Sequence, residues 1–263
     1  MADGMSFDKY IDNPSGGATV ITNRNMYKNM YKSKFDNVLL RESGNIEYKI
    51  YYANDGQDSY YIYMKIPSEV IEKFYYDVVI RLFTTENKKK SNVNLREYAV
   101  EFYSNDPAFV YTFAHAFSKN HLFIKDLESK MSKTALRDVA KVKNPKDNIW
   151  YVKSLYFAYL TMERYHLFNR SILKQNAAKY NKRELLSKIT HATEKVEARQ
   201  EAQVKLDKEK SKTKKIERKD KDLLSKHTKT SGIVKTSKVS KTSRDTNKVK
   251  TTKRTSMKRP GSL

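Results

Sequence analysis

The sequence contains no cysteine, which excludes disulfides, thiolate metal sites and a cysteine nucleophile. Glycine is scarce, with seven in 263 residues. No Gly-x-x-x-x-Gly-Lys-Ser/Thr or Gly-x-Gly-x-x-Gly run occurs, so a backbone cradle for phosphate is not expected. Gly-x-Ser-x-Gly and His-Glu-x-x-His are also absent, which removes two common hydrolytic arrangements. No apolar run approaches the ~20 residues that span a bilayer. Met1-Ala2-Asp3-Gly4-Met5 lacks the basic and apolar regions of a secretion signal. These absences weigh against the common enzyme classes, and the expectation is an intracellular, non-secreted protein with no transmembrane segment, no cofactor and no enzymatic activity.

A further absence divides the chain. No Trp, Tyr or Phe follows Tyr180, so the last 83 residues have none. Aromatic rings supply the largest buried areas in a core. A segment without them, and poor in Val, Ile and Leu, cannot offset its ordering entropy. Charge divides near the same place. Residues 1–169 carry 24 Lys+Arg and 20 Asp+Glu, a net +4, whereas residues 170–263 carry 29 and 10, a net +19. A block of that sign suits polyanions such as nucleic acid, an acidic protein or an anionic membrane surface, with a purely solubilising tail as the alternative.

Four regions follow: an N-terminal arm over 1–25, a globular domain over 26–180, a projecting charged helix over 181–226 and a disordered Lys/Thr/Ser-rich tail over 227–263. In the arm, Asn13-Pro14-Ser15-Gly16-Gly17 signals a turn, and Ala18 to Thr22 suits a short strand. The spacing of Met26, Met30, Tyr31, Phe35, Val38 and Leu39 predicts a helix over 25–40. Ile46, Tyr48, Ile50 and Tyr52 alternate with Glu47, Lys49 and Tyr51, and alternation resumes at Tyr60, Ile62, Met64 and Ile66 beyond an Asp-Gly turn. That pattern is a β-hairpin, with Ile46, Ile50, Ile62 and Ile66 toward the core. Pro67 ends its second strand and suits the start of a short helix through Glu72.

Strands are also expected over 76–84 and 98–103, with a surface loop at 87–94. Asn105-Asp106-Pro107 opens a helix running to about Ser118. One amphipathic helix is expected between Lys125 and Asp147, and a more apolar one over 149–168. The fold class is α+β, a small, mostly antiparallel sheet packed with helices. Beyond it, Leu185, Ile189, Ala192 and Val196 keep a 4-3-4 spacing, which then breaks at Arg199 and Gln203. A run that short predicts only weak coiled-coil association.

Candidate site residues fall into two groups. The tail repeats Lys-Thr-Ser at Lys229, Lys235 and Lys241, and Lys238, Arg244, Lys248, Lys250, Lys253, Arg254, Lys258 and Arg259 complete its cations. Against the single acid Asp245, residues 227–263 carry 11 − 1 = +10. Flexible lysines neutralise phosphates without reading bases, so nucleic acid is the expected partner, bound without sequence preference. In the hairpin, Tyr51, Tyr61 and Tyr63 share a face with Lys49 and Lys65. Such a face stacks single-stranded bases if open; if helices cover it, the tyrosines serve the sheet. His115 and His121 lack the spacing of a metal pair, and Asp55/Asp58 and Glu69/Glu72 are explained by a turn and a helix start.

Tyr10-Ile11-Asp12-Asn13-Pro14-Ser15-Gly16-Gly17, Met26-Tyr27-Lys28 and Ser104-Asn105-Asp106-Pro107-Ala108-Phe109 give residues 6–180 a resemblance to uncharacterised proteins of tailed bacteriophages. The resemblance does not reach the tail and carries no residue roles. It implies a structural or assembly component of a virion, acting in the host cytoplasm or the particle, with a protein partner for the folded domain. The alternatives are a nucleic-acid-binding regulator or packaging factor whose folded domain reads the ligand, and an enzyme of unfamiliar design.

Overall fold

A computed structural model describes residues 5–12, 21–54, 58–84 and 94–230; in 21–24 and 222–230 only the backbone is considered. The protein is α+β. The chain separates into two compact units, Met1–Ser211 and Lys212–Leu263.

The first unit is organised by a five-stranded sheet. Strands β1 (Tyr48–Asn54), β2 (Asp58–Pro67), β3 (Tyr75–Phe83) and β4 (Ala99–Ser104) pair antiparallel in sequence order, and β5 (Ala177–Lys179) adds parallel to β1. The hairpin register sets Ile50 opposite Ile62 and Tyr51 opposite Tyr61, and Ile62 in turn faces Ile80. Ile46, Ile50, Ile62 and Ile66 are buried as the alternation requires. The outer edge of β4 is closed: Val100 N donates to Met5 O, Phe102 N to Leu122 O, and Ile124 N to Phe102 O.

One sheet face packs against helix α5 (Lys153–Arg164), which also contacts α2 (Ile21–Arg41). Ser43 and Gly44 follow α2 at φ +54° and +78°, and Gly44 donates its N–H to Leu39 O, a left-handed stop whose first residue is serine and whose second is glycine. The helix opened by Asp106-Pro107 passes through a π-type turn at Phe109–Phe113 into α3 (Ala114–Lys119), with Phe109, Ala116 and Phe117 fully buried. His121 and His166, at φ +56° and +54°, end α3 and α5 in the same left-handed way as Ser43, with Leu122 N donating to Phe117 O and Leu167 N to Met162 O.

Several sequence expectations change. Residues Phe7–Asp12 are not an extended arm but helix α1, with Phe7, Tyr10 and Ile11 buried. Phe7 packs edge-on to Phe102 and Tyr159 at 5.1 and 5.2 Å, and Tyr10 Oη donates to Trp150 O. Three aromatic and aliphatic groups in six residues outweigh a polar neighbourhood. Ile21 and Thr22 begin α2 rather than ending a strand. After Pro67 the chain bends without a helix, because Ser68 N closes onto Phe74 O at 2.7 Å and turns it directly into β3. The 125–147 stretch holds two short pieces, a 3₁₀ turn at Lys125–Lys130 and α4 at Lys133–Arg137.

The largest change lies beyond Tyr180. Helix α6 (Arg170–Asn176) leads into β5, and α7 (Lys182–Lys188) stops at Ile189 before α8 (Ala192–Thr230) begins. Leu185, Ile189, Ala192 and Val196 are buried in the first unit. Their 4-3-4 spacing is spent on intramolecular packing, not on association of a free helix. The globular domain therefore begins before residue 26 and continues past 180. The Asn13–Gly17 turn, the hairpin tip at 55–57, the Lys88–Lys90 loop and the tail from 231 lie outside the described residues.

Candidate nucleic-acid interface

The hairpin tyrosines occupy the second sheet face, and that face is covered. Tyr51, Tyr61 and Tyr63 are 0%, 2% and 1% exposed, so none offers an open ring for base stacking. The cover comes from the Lys125–Lys130 turn and from residues 180–190. Tyr180 lies flat on Tyr61, with centroids 4.2 Å apart and planes 15° apart. Both hydroxyls donate to Asp126 Oδ2, at 2.9 and 3.2 Å, and Lys182 Nζ pairs with Oδ1 at 2.8 Å. Burial alone would raise the Asp126 pKa, but the bonds from Lys182 and Tyr180 outweigh it and hold the carboxyl below its usual value.

Tyr51 Oη donates to Glu184 Oε1 at 3.1 Å, and Lys49 binds the same oxygen at 2.6 Å. Tyr63 Oη donates to Asp77 Oδ1 at 2.9 Å. Asp77 is a buried carboxylate, satisfied further by Asn105 Nδ2 at 2.8 Å and Thr190 N at 2.9 Å. Burial, then the Asp77 charge, pushes the Tyr63 hydroxyl well above its ordinary pKa. Each buried hydroxyl thus has a carboxylate acceptor, as desolvation requires. Alternation showed that these tyrosines share a face; their cover comes from segments 65 to 133 residues later in the chain.

Other polar groups of the first unit are closed on one another. Arg96 bridges Asp8 at 3.1 Å and Glu163 at 2.7 Å while its guanidinium lies 4.3 Å from the Phe168 centroid. It borders an open cleft of about 550 Å³ with Asn94, His166 and Asn169. A second open cleft of about 630 Å³ is lined by Glu42, Asn45, Tyr48, Lys65, Tyr75 and Tyr165. There Tyr75 Oη donates to Glu42 and Lys65 pairs with Glu47. His115 Nδ1 meets Asp147 Oδ1 at 2.9 Å, and Glu69 binds Lys34 and Lys153 instead of a helix terminus. Asp58 pairs with Arg170 and accepts from Tyr98. Among the described residues, no group of three or more His, Asp or Glu is placed to hold a metal, and no helix is long and apolar enough to cross a membrane.

The cationic residues present a different surface. From Asp207 to Lys221 every residue of α8 is exposed. This stretch carries eight cations, Lys208, Lys210, Lys212, Lys214, Lys215, Arg218, Lys219 and Lys221, and four acids, Asp207, Glu209, Glu217 and Asp220. These helical cations are not among the residues expected to bind from the sequence, although the lysine-rich run itself is evident there. Of the tail cations, Lys229 falls on the backbone of the last turn of α8. Lys235, Lys238, Lys241, Arg244, Lys248, Lys250, Lys253, Arg254, Lys258 and Arg259 lie outside the described residues. The chain matches no family model, no curated protein and no solved structure.

Proposed function

We propose that this protein is a non-enzymatic binding or assembly protein whose C-terminal cationic segment holds nucleic acid without reading its sequence. The observation that carries this reading is, within the second unit, the unbroken exposure of residues 212–221, with six cations against two acids, ahead of a 227–263 segment of formal charge +10. Lysine-rich surface of this kind neutralises phosphates and releases condensed counterions, a force indifferent to base identity. The first unit, with its sheet covered on both faces, serves as the body that docks on a protein partner. The tailed-bacteriophage resemblance of residues 6–180 makes a virion or its assembly machinery the setting. A regulator that reads bases through the hairpin has less support, since its tyrosines are enclosed.

The test is binding of the full chain, and of a chain lacking residues 227–263, to two unrelated DNA duplexes and one single strand across a salt series. The full chain should bind both duplexes equally and lose affinity steeply with salt. The shortened chain should bind more weakly and with a flatter slope. Equal affinity and slope for the two proteins would remove the tail from the interface.

A further inference from the structure

Within the second unit, residues 212–221 are helical and their side chains are exposed. An α-helix advances about 100° per residue. Taking Lys212 as the origin, Lys221, Lys214, Arg218, Lys215 and Lys219 fall at about 180°, 200°, 240°, 300° and 340°. Ile216, Asp220, Thr213 and Glu217 fall at about 40°, 80°, 100° and 140°. All six cations of this stretch therefore occupy one half of the helix cylinder, and both acids occupy the other. A merely solubilising helix needs charge but no such sorting. Glu217 and Lys221 are the one opposite-charge i,i+4 pair of the stretch, at the boundary of the two halves, whereas Lys214/Arg218 and Lys215/Lys219 repeat like charges one turn apart.

We infer that residues 212–221 form an ordered phosphate-binding face that lies in a groove of double-stranded nucleic acid. This rests on the nucleic-acid reading above and adds to it a structured contact separate from the tail. The duplex is favoured by shape. A helix is about 10–12 Å across with its side chains, and the major groove is about 12 Å wide with phosphates on both walls. A half-cylinder of cations reaches both walls at once, while the acidic half turns outward. A single strand offers one row of phosphates and would use a narrower arc. A lipid surface would call for apolar side chains beside the cations, and the basic half has none. Cations spread over half the cylinder face the phosphates of both walls, so the contact is assigned to the backbone.

The experiment rearranges charge without changing it. In the full chain, Lys214→Glu, Glu217→Lys, Lys219→Asp and Asp220→Lys together keep the composition and net charge while placing each acid between cations around the helix. Duplex binding near 0.1 M salt should fall about tenfold or more, and the salt slope should flatten by about two, as two phosphate contacts are lost. Helicity by circular dichroism verifies that α8 persists. A second variant with all five lysines of 212–221 changed to arginine keeps the sorting and should bind as the parent does. Parent-like binding by the rearranged chain overturns this inference and leaves the tail reading intact. Failure of the parent to bind a duplex overturns both. Tighter binding of the single strand, or of phosphatidylserine vesicles, with the same sensitivity to rearrangement, overturns the choice of duplex.

Discussion

The body of the first unit and the exposed run of α8 both depend on groups that water solvates well, and they treat them oppositely. In the sheet, three tyrosine hydroxyls are withdrawn from solvent, and each meets a carboxylate that is itself held by a lysine, an amide or a backbone N–H. From 207 to 221, charge remains in water, with no aromatic or buried side chain. The same contrast separates two lysine roles. Lys49 and Lys182 complete an intramolecular network, whereas the helical lysines face solvent and a polyanion can reach them. A residue type alone therefore says little about binding here; the density of apolar neighbours decides whether it is used inward or outward.

The sharpest way to break the inward half of this contrast is Ile62→Asp. Ile62 is fully buried between Ile50 and Ile80, and an unpaired carboxylate there costs several kcal/mol. Thermal denaturation should show loss of the cooperative transition; an unchanged melting temperature would mean that this sheet face is not core.

A second, somewhat smaller effect concerns where the body ends. A chain ending at Tyr180 loses Leu185, Ile189, Ala192 and Val196 and the cover over Tyr51 and Tyr63, whereas a chain ending at Ser211 keeps them. The first should fail to fold cooperatively, and the second should melt with the full chain. Within the intact protein, Leu185→Ala should cost about 2–5 kcal/mol, measured by urea denaturation. Equal stability of the two truncated chains would show that residues 181–196 do not belong to the core.

The smallest effect tests a partly exposed charge. The folded-state pKa of Asp126 is depressed, so its contribution to stability is present above the unfolded value of 3.8 and is lost as pH falls through the folded value. Asp126→Asn should lower stability by about 1 kcal/mol or less at neutral pH. The difference from the parent should shrink as pH drops below the unfolded value. A difference that grows in acid would reverse the assigned sign.

Much of the sheet was legible in the sequence. Tyr48 to Ile66 alternates with period two, and the structure pairs it as the expected hairpin with Ile50, Ile62 and Ile66 inward. Of the four residues expected inward on the helix after Asp106-Pro107, Phe109, Ala116 and Phe117 are buried and Phe113 is half-buried. Less legible were α1, whose six residues are too short for a periodic signal, and β5, three residues of Ala-Ala-Lys whose strand geometry comes from pairing with β1. The candidate site divided the same way. The basic block was evident from composition, but its sorting onto one side of residues 212–221 emerges only when a helix sets the angular order.

The sequence by itself determined where a core can form, because buried aromatic area is needed to offset chain entropy and every ring precedes residue 181. It also determined the hairpin faces, because side chains alternate along a strand whatever surrounds it. Tertiary structure decided which of those faces meets solvent. Period two separates Tyr51, Tyr61 and Tyr63 from the isoleucines, but it carries no information about a distant segment folding over them. That cover is a long-range contact, made when Leu185 and Ile189 bury apolar surface and Asp126, Glu184 and Asp77 accept the hydroxyls that burial strips of water.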